Sequence, residues 1–296
     1  MKKYLFFIFL FVVLLFYGFL VLAKEEILFS VEKGQNMFQI GRNLEKERLI
    51  KNRFFFDFYV LITGNAKKLR AGEYFLSPSM GTREIAKKII AGDTATITLT
   101  IPEGWTLRQI EERLGFKLPG ENLEGFLFPD TYRFPVKVSG EEVVKAMKEN
   151  FDKKLTQELQ EEIERQGKTI FEIVTMASLL EKEVKTKEDK ELVSGILWKR
   201  LENGIPLQVD ATITYITGKK TAKVSVEDTQ IDSPYNTYKY PGLPSGSIAN
   251  PGLESIQASV YPESSEYWYY LSTPDGETIF SKNLQEHNTA KTEYLK

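Results

Sequence analysis

From Tyr4 to Ala23 the chain carries no charge: YLFFIFLFVVLLFYGFLVLA. At about 1.5 Å per residue, roughly 20 apolar residues in a helix suffice to cross the hydrocarbon core of a bilayer. Lys2 and Lys3 precede the run, and the mixed-charge Lys24-Glu25-Glu26 follows it. Basic residues on the N-terminal flank orient that end to the cytoplasm and put everything after Lys24 outside. A cleaved signal peptide ending at Val21-Leu22-Ala23 is the competing reading. Signal cores usually run about 7–15 residues, and the longer run here favours an anchor. Both readings export the rest of the chain. The expectation is a single-pass membrane protein, with residues 1–23 as cytoplasmic stub and anchor and the remainder outside the cytoplasm.

Composition then removes whole classes of chemistry. The 296 residues hold no cysteine and one histidine, His287. Disulfides, thiolate metal sites, cysteine nucleophiles and zinc sites built on histidine pairs are excluded. No Asp/Glu cluster asks for an oxygen-ligated metal, so neither metal nor cofactor is expected. The 39 basic and 41 acidic residues nearly cancel. No basic stripe runs along the chain, which gives nucleic acid no electrostatic foothold. Catalysis, if present, falls to carboxylates, hydroxyls, amides and aromatics.

One motif occurs twice. Val31-Glu32-Lys33-Gly34 is followed by Ile40 and Leu44, and Ile101-Pro102-Glu103-Gly104 by Ile110 and Leu114, without a gap. Each copy reads as a strand end, a turn at the Gly, then a helix with Ile and Leu one turn apart on its inner face. Thr94–Ile101 alternates Thr with Ile and Leu, the pattern of a half-buried strand with Thr outward. Helices are expected at Met37–Lys46, Thr82–Ala91, Gly140–Gln166, Thr169–Val184 and Glu188–Asn203. Ser233–Pro262 is rich in Pro, Gly, Ser, Asn and Tyr, a loop long enough to suggest function. A strand-like Tyr267–Leu271 follows. The whole is α+β.

The segment TIFEIVTMASLLEKEV, Thr169–Val184, carries the sharpest chemical signal. At about 100° per residue, Ile170, Ile173, Val174, Ala177, Leu180 and Val184 share one stripe, and Glu181 falls inside it. Glu172 and Glu183 fall on the opposite, solvated side, so replacing Glu183 is expected to be tolerated. A carboxylate on an apolar face is costly unless partnered, and burial favours its protonated form, as a general acid requires. The bland alternative is that Glu181 bends to solvent or pairs with Lys185. Glycoside cleavage normally takes two carboxylates. Glu181 and Glu183 point apart, but one acid suffices where the sugar supplies its own nucleophile. Tyr235, Tyr238, Tyr240 and Trp268 offer flat faces with polar tips for a sugar groove. Gln208 and Asn236 have amides suited to acetamide groups. Asp130, after Pro129, reads as a turn former. His287 reads as structural, near the start of a tail helix.

The stretches ASLLEKEV, LQVDATITYITG, SPYNTYKYPGLPSGSIANPG, EGFLFPDTYRF and the tail EHN together resemble the YceG-like family, the endolytic murein transglycosylases. The resemblance runs from the apolar segment to the C-terminus. It implies an N-terminal transmembrane helix, a LysM-like βα subdomain over residues 24–92 and a mixed α+β catalytic domain over 93–296. It implies cleavage of the MurNAc–GlcNAc β-1,4 bond within nascent peptidoglycan strands, leaving a 1,6-anhydroMurNAc end and terminating elongation. The catalytic Glu of the family is the first of its A-S-x-x-E-K-E motif, here Glu181. Gln208, Asp210, Tyr235, Asn236 and Tyr238 are the expected substrate-binding residues. Partners implied are glycan strands, the membrane, and cell-wall synthases such as penicillin-binding proteins.

Two other readings compete. A non-catalytic glycan binder that positions synthases would have no need of an acid on an apolar face. A true hydrolase would need a second carboxylate near Glu181, which only the fold could bring from Asp210, Asp130 or Glu124.

Overall fold

The computed structural model describes residues 26–219 and 224–295. Among them are eleven α-helices and three two-stranded sheets, a mixed α+β fold. No helix among the described residues is long and apolar enough to cross a membrane. The expected fold class is corrected on that point, since a transmembrane helix is not one of the elements found. The Tyr4–Ala23 run itself lies outside the described residues.

The described chain divides into two compact units. The first runs to Thr98 and includes Arg133–Val138. It contains β1 (Ile27–Val31), α1 (Met37–Lys46), α2 (Arg53–Ile62), β2 (Gly72–Leu76) and α3 (Thr82–Ala91). Strands β1 and β2 pair antiparallel, Ile27 opposite Leu76 and Val31 opposite Gly72. Phe29, Val31, Tyr74 and Leu76 meet Ile40, Leu44, Phe56, Ile85 and Ile89 in one core. The outer face of α2 is apolar as well: Phe54, Phe55, Phe58, Leu61 and Ile62 are exposed.

The second unit holds Leu99–Tyr132 and everything from Ser139 onward. Strand β3 (Thr96–Thr100) pairs with β4 (Thr131–Pro135), and α4 (Leu107–Leu114) follows β3. Within β3, Leu99 points inward but Ile97 is exposed, so the expected alternation holds for one of the two apolar residues. The long helix expected over Gly140–Gln166 is two helices, α5 (Gly140–Lys154) and α6 (Gln157–Arg165). Thr156 breaks it by accepting the Leu159 N–H, so its side chain starts a new helix instead of continuing the old one.

Helices α7 (Ile170–Glu183), α8 (Lys187–Glu202), α9 (Asp210–Thr217) and α10 (Leu253–Val260) form the centre of this unit. Thr169 and Glu172 close a reciprocal capping box at the start of α7. Every residue from Ile173 to Leu180 is buried. A helix buried on all sides is a core element with no single inward stripe. It packs against α8, α9 and α10, and α8 also packs on α10. Strands β5 (Tyr269–Ser272) and β6 (Thr278–Ser281) pair antiparallel beside α11 (Leu284–Tyr294). There His287 stacks on Tyr269 at 5.1 Å between centroids. Burial holds the His287 imidazole down to about 4, a neutral structural ring, as expected.

The two sequence repeats share their local structure. Gly34 and Gly104 both turn at positive φ, 91° and 74°. Asn36 with Gln39, and Thr106 with Gln109, form matching capping boxes. Ile40 and Ile110 are both fully buried.

Tight packing of α8 gives a direct test. A Cβ on Gly195 would lie 1.9 Å from the Glu263 carbonyl oxygen, which is backbone and has little room to yield. Gly195→Ala is expected to destabilise the second unit by about 1–3 kcal/mol despite its better helix propensity. Thermal unfolding checks this, and an unchanged or raised Tm would contradict the packing described.

Candidate functional site

Glu181 sits in the last turn of α7, where the helix leaves the core. Its Oε2 accepts three hydrogen bonds: from the Gly252 N–H at 3.0 Å, the Ser255 hydroxyl at 2.6 Å and the Lys190 ammonium at 3.5 Å. Gly252 is the N-cap of α10 and Ser255 lies in its first turn, so the carboxylate faces the positive end of that helix. Lys190, from α8, is 3 % exposed, and Glu181 is its ion-pair partner. No hydrogen bond or ion pair is made by Oε1 to the described residues. The carboxyl is held in place through Oε2, and Oε1 is the atom left for a ligand. This arrangement suits a group that must give up a proton and take one back.

A second carboxylate lies at the same place. Glu103 follows β3 in the second repeat copy, and its carboxylate rests on Gly252. A Cβ on Gly252 would come within 2.0 Å of Glu103 Oε1, so the carboxylate occupies the space that this Gly leaves open. Gly104 approaches from the same loop, its would-be Cβ 3.4 Å from Glu181 Cγ, while Lys182 donates to the Gly104 carbonyl at 3.3 Å. Desolvation, and next the neighbouring Glu181 charge, push the Glu103 carboxyl above its ordinary value.

Asn250 ties these loops together and is fully buried. Its Oδ1 accepts the Gly125 and Leu127 N–H groups at 2.9 and 3.0 Å. Its Nδ2 donates to the Trp105 carbonyl and to Glu124 at 2.9 and 3.1 Å. Its backbone pairs with Gly104 and Trp105. Ser178 on α7 accepts the Ile248 N–H at 3.0 Å and so pins the same segment to the buried helix. The Pro/Gly/Ser-rich loop is therefore ordered by the core, and its buried end leads directly into Gly252.

Glu124 takes the Leu107 N–H at 2.9 Å and the Tyr215 hydroxyl at 3.4 Å. Burial pushes its carboxyl up to about 7 against these bonds. Tyr235 packs against Tyr215 with ring centroids 5.1 Å apart, so this expected binding residue belongs to the Glu124 group.

Glu183 is not solvated, contrary to the helical-face argument. Its Oε1 accepts the Ala211 N–H at 3.2 Å and its Oε2 the Tyr270 hydroxyl at 3.1 Å. Desolvation raises its carboxyl to about 7, with the Asp210 charge adding to the rise. The phase of α7 was readable, but α9 and β5 cover the side that the sequence left to solvent. Asp210 accepts the Tyr238 hydroxyl. Gln208, at φ +54°, accepts from the Arg200 guanidinium at 3.0 Å. Gln208, Asp210 and Tyr238 are thus gathered around Arg200 and Glu183. Asn236 is elsewhere in purpose: its amide donates to the Thr229 and Ile231 carbonyls and accepts the Tyr238 and Lys239 N–H groups. That amide is fully used in folding its own loop and has nothing left for an acetamide.

None of the three carboxylates named as possible second acids contacts Glu181. Asp130 accepts from Thr131 and Asn150, as a turn former does, and Asp210 and Glu124 have the partners given above. The carboxylate that the fold brings near Glu181 is that of Glu103, which stands in the repeat and reads there as part of a turn. Lys190 and Ser255 carried no signal, because the contact exists only through the packing of α8 and α10 on α7. Among the described residues no group of acidic or His side chains could hold a metal ion.

The raised carboxyls of Glu124 and Glu183 make stability depend on pH. Each favours the folded state fully below about 4.5 and loses that contribution as pH rises to about 7, roughly 3 kcal/mol at most per group. Thermal unfolding of the wild type, Glu124→Gln and Glu183→Gln at pH 5 and pH 8 tests this. The Tm advantage of wild type over either variant is expected to shrink at pH 8; a difference independent of pH would contradict the burial.

Three comparisons bear on this arrangement. The model of the YceG-like family matches residues 29–293. An endolytic murein transglycosylase of Bacillus subtilis (strain 168) is 32% identical over 311 residues, covering 92% of this chain and 86% of the relative. One from Streptococcus pneumoniae serotype 2 is 31% identical over 92% of this chain, which spans 59% of that longer relative. The crystal structure of a yceG-like protein from Listeria monocytogenes superposes with a TM-score of 0.61 at 34% identity, covering 91% of this chain and all of that one.

Proposed function

Because this chain belongs to the YceG-like family, we propose that it is an endolytic peptidoglycan lytic transglycosylase that cleaves the MurNAc–GlcNAc β-1,4 bond within glycan strands. The single observation that carries the site assignment is the grip on Glu181: three donors on Oε2, with Oε1 left to act. The proton on Glu181 passes to the glycosidic oxygen as the bond to the muramic acid C1 breaks. The C6 hydroxyl of the same sugar attacks C1, and its proton returns to the Glu181 carboxylate. The bond formed closes a 1,6-anhydro ring, no water is consumed, and the acid is regenerated. One carboxyl serves as acid and then as base, and an oxygen without a partner among the described residues, beside one that is firmly held, supports this reading.

Gln208, Asp210 and Tyr238 form a polar group around Arg200 that supports a role in binding the strand, and Tyr235 has an aromatic face beside Glu124. The β-α-α-β order of the first unit, with its antiparallel pair, supports reading it as LysM-like and glycan-facing. Cutting strands as they are made would stop their elongation. It would also put the protein outside the cytoplasm, beside synthases such as penicillin-binding proteins.

Glu181→Gln tests the assignment. It is expected to lower the rate of peptidoglycan cleavage by about 10²–10⁴-fold while the protein stays folded and still binds glycan. Cleavage at the wild-type rate would remove Glu181 from the mechanism.

A further inference from the structure

Helix α2 is apolar on both of its faces. Phe56 and Val60 turn inward to the core of the first unit, and Asp57 is buried. Phe54, Phe55, Phe58, Leu61 and Ile62 recur at helical spacing on the outer face, and each is more than half exposed, Phe55 at 69 %. Packing within the unit gives these five side chains no cover, and a contiguous apolar patch of this kind marks an interaction surface.

The charge around the patch is one-sided. Residues 45–70 hold seven basic and three acidic side chains, and one of the acids is the buried Asp57. Lys51 and Arg53 stand at the start of α2, and Lys67 and Lys68 follow its end. The Arg53 guanidinium lies over the Phe54 ring at 5.1 Å, which brings its charge to the border of the patch. Lys51, Lys67 and Lys68 make no ion pair with a described residue. Both ends of the apolar face therefore carry cations that the fold itself does not neutralise.

We infer that the outer face of α2 is a lipid-binding surface that seats the first unit on an anionic bilayer, its Phe, Leu and Ile side chains among the acyl chains and its flanking cations at the phosphates. An apolar helix face with basic flanks is the arrangement that lies in a membrane interface. Three other occupants are disfavoured by the same observations. A sugar needs hydroxyl or amide partners, and the five side chains carry no polar atom. A second copy would set basic ends against basic ends whether the two helices ran parallel or antiparallel. The chain's own Tyr4–Ala23 run has no charge to meet the cations. That run bears on the choice in another way. It ends at Ala23, and β1 of this unit opens at Ile27, a span of at most about 14 Å. A bilayer that takes up so apolar a sequence lies beside this unit.

This inference is independent of Glu181 and of the reaction it runs. The full chain has no cysteine, so one introduced thiol gives a single label. An environment-sensitive dye would be attached through Phe58→Cys and, as a control on the second unit, through Glu158→Cys, an exposed position. Each labelled chain would be reconstituted into vesicles of phosphatidylcholine and phosphatidylglycerol that carry a nitroxide lipid. The label at position 58 is expected to be quenched at least about threefold more than the label at 158, and the difference to shrink when phosphatidylglycerol is omitted. Adding Phe55→Asp and Leu61→Asp to the Phe58→Cys chain should abolish the difference and leave the unfolding temperature unchanged, because both side chains are exposed. Equal quenching at 58 and 158 would overturn the inference, and this comparison holds even if the double substitution fails to fold. A label at 58 that is shielded in detergent and released by dilution would overturn it in favour of a second copy. Quenching that is the same without phosphatidylglycerol would overturn the assignment to anionic lipid.

Discussion

The site depends on one constraint: α7 is enclosed on every side, and its final turn is where polar chemistry can begin. Eight consecutive buried residues fix the helix in position and rotation. Truncating one of them, such as Leu180, would cost about 2–5 kcal/mol by the usual response of a core. With the axis fixed, Glu181 can point to only one place. The N-terminus of α10 and the Lys190 side chain of α8 meet it there because both helices pack on the same rod. The proposed site is thus held by rigid elements, and the loops that complete it are tied down by Asn250 and Ser178.

Electrostatics around that rod are divided by side. On the Glu181 side a cation, a helix end and a hydroxyl surround one carboxylate, and the Glu103 carboxyl, raised by desolvation and by the Glu181 charge, lies nearby. On the Glu183 side the carboxylate meets only neutral donors and the like charge of Asp210, and it is raised to about 7. Glu183 and Glu124 are internal struts whose hydrogen bonds join α7 to α9 and β5, and the loop before Gly125 to Asn250 and α4. Two acids two residues apart in sequence therefore have different surroundings, set by which neighbour packs on each face.

How far this was legible in the sequence follows from the range of the interactions. Local signals were read well. The repeat, its Gly turns and the ends of α1, α3 and α7 all lie within a few residues of the features that encode them. Apolar spacing and the family motif both single out Glu181. The failures come from non-local contacts. Glu183 was assigned to solvent because a stripe argument presumes one buried face, and α7 has no free face. Asn236 was read as a sugar ligand because an amide in a Tyr-rich loop has the right chemistry, but its loop needs that amide to close. Helices α2 and α9 gave no sufficient periodic signal. The place of Glu103 beside Glu181 could come only from the fold that brings residues 103, 181 and 252 together.

The most direct measurement is the chemical nature of the new end. Peptidoglycan digested with the purified protein would be treated with borohydride and its fragments weighed by mass spectrometry, beside Glu181→Gln. The account predicts fragments ending in 1,6-anhydro sugar that resist reduction, produced by the wild type and absent from the variant. Fragments with reducible ends would contradict it, because they would show that water, and not the C6 hydroxyl, attacks C1.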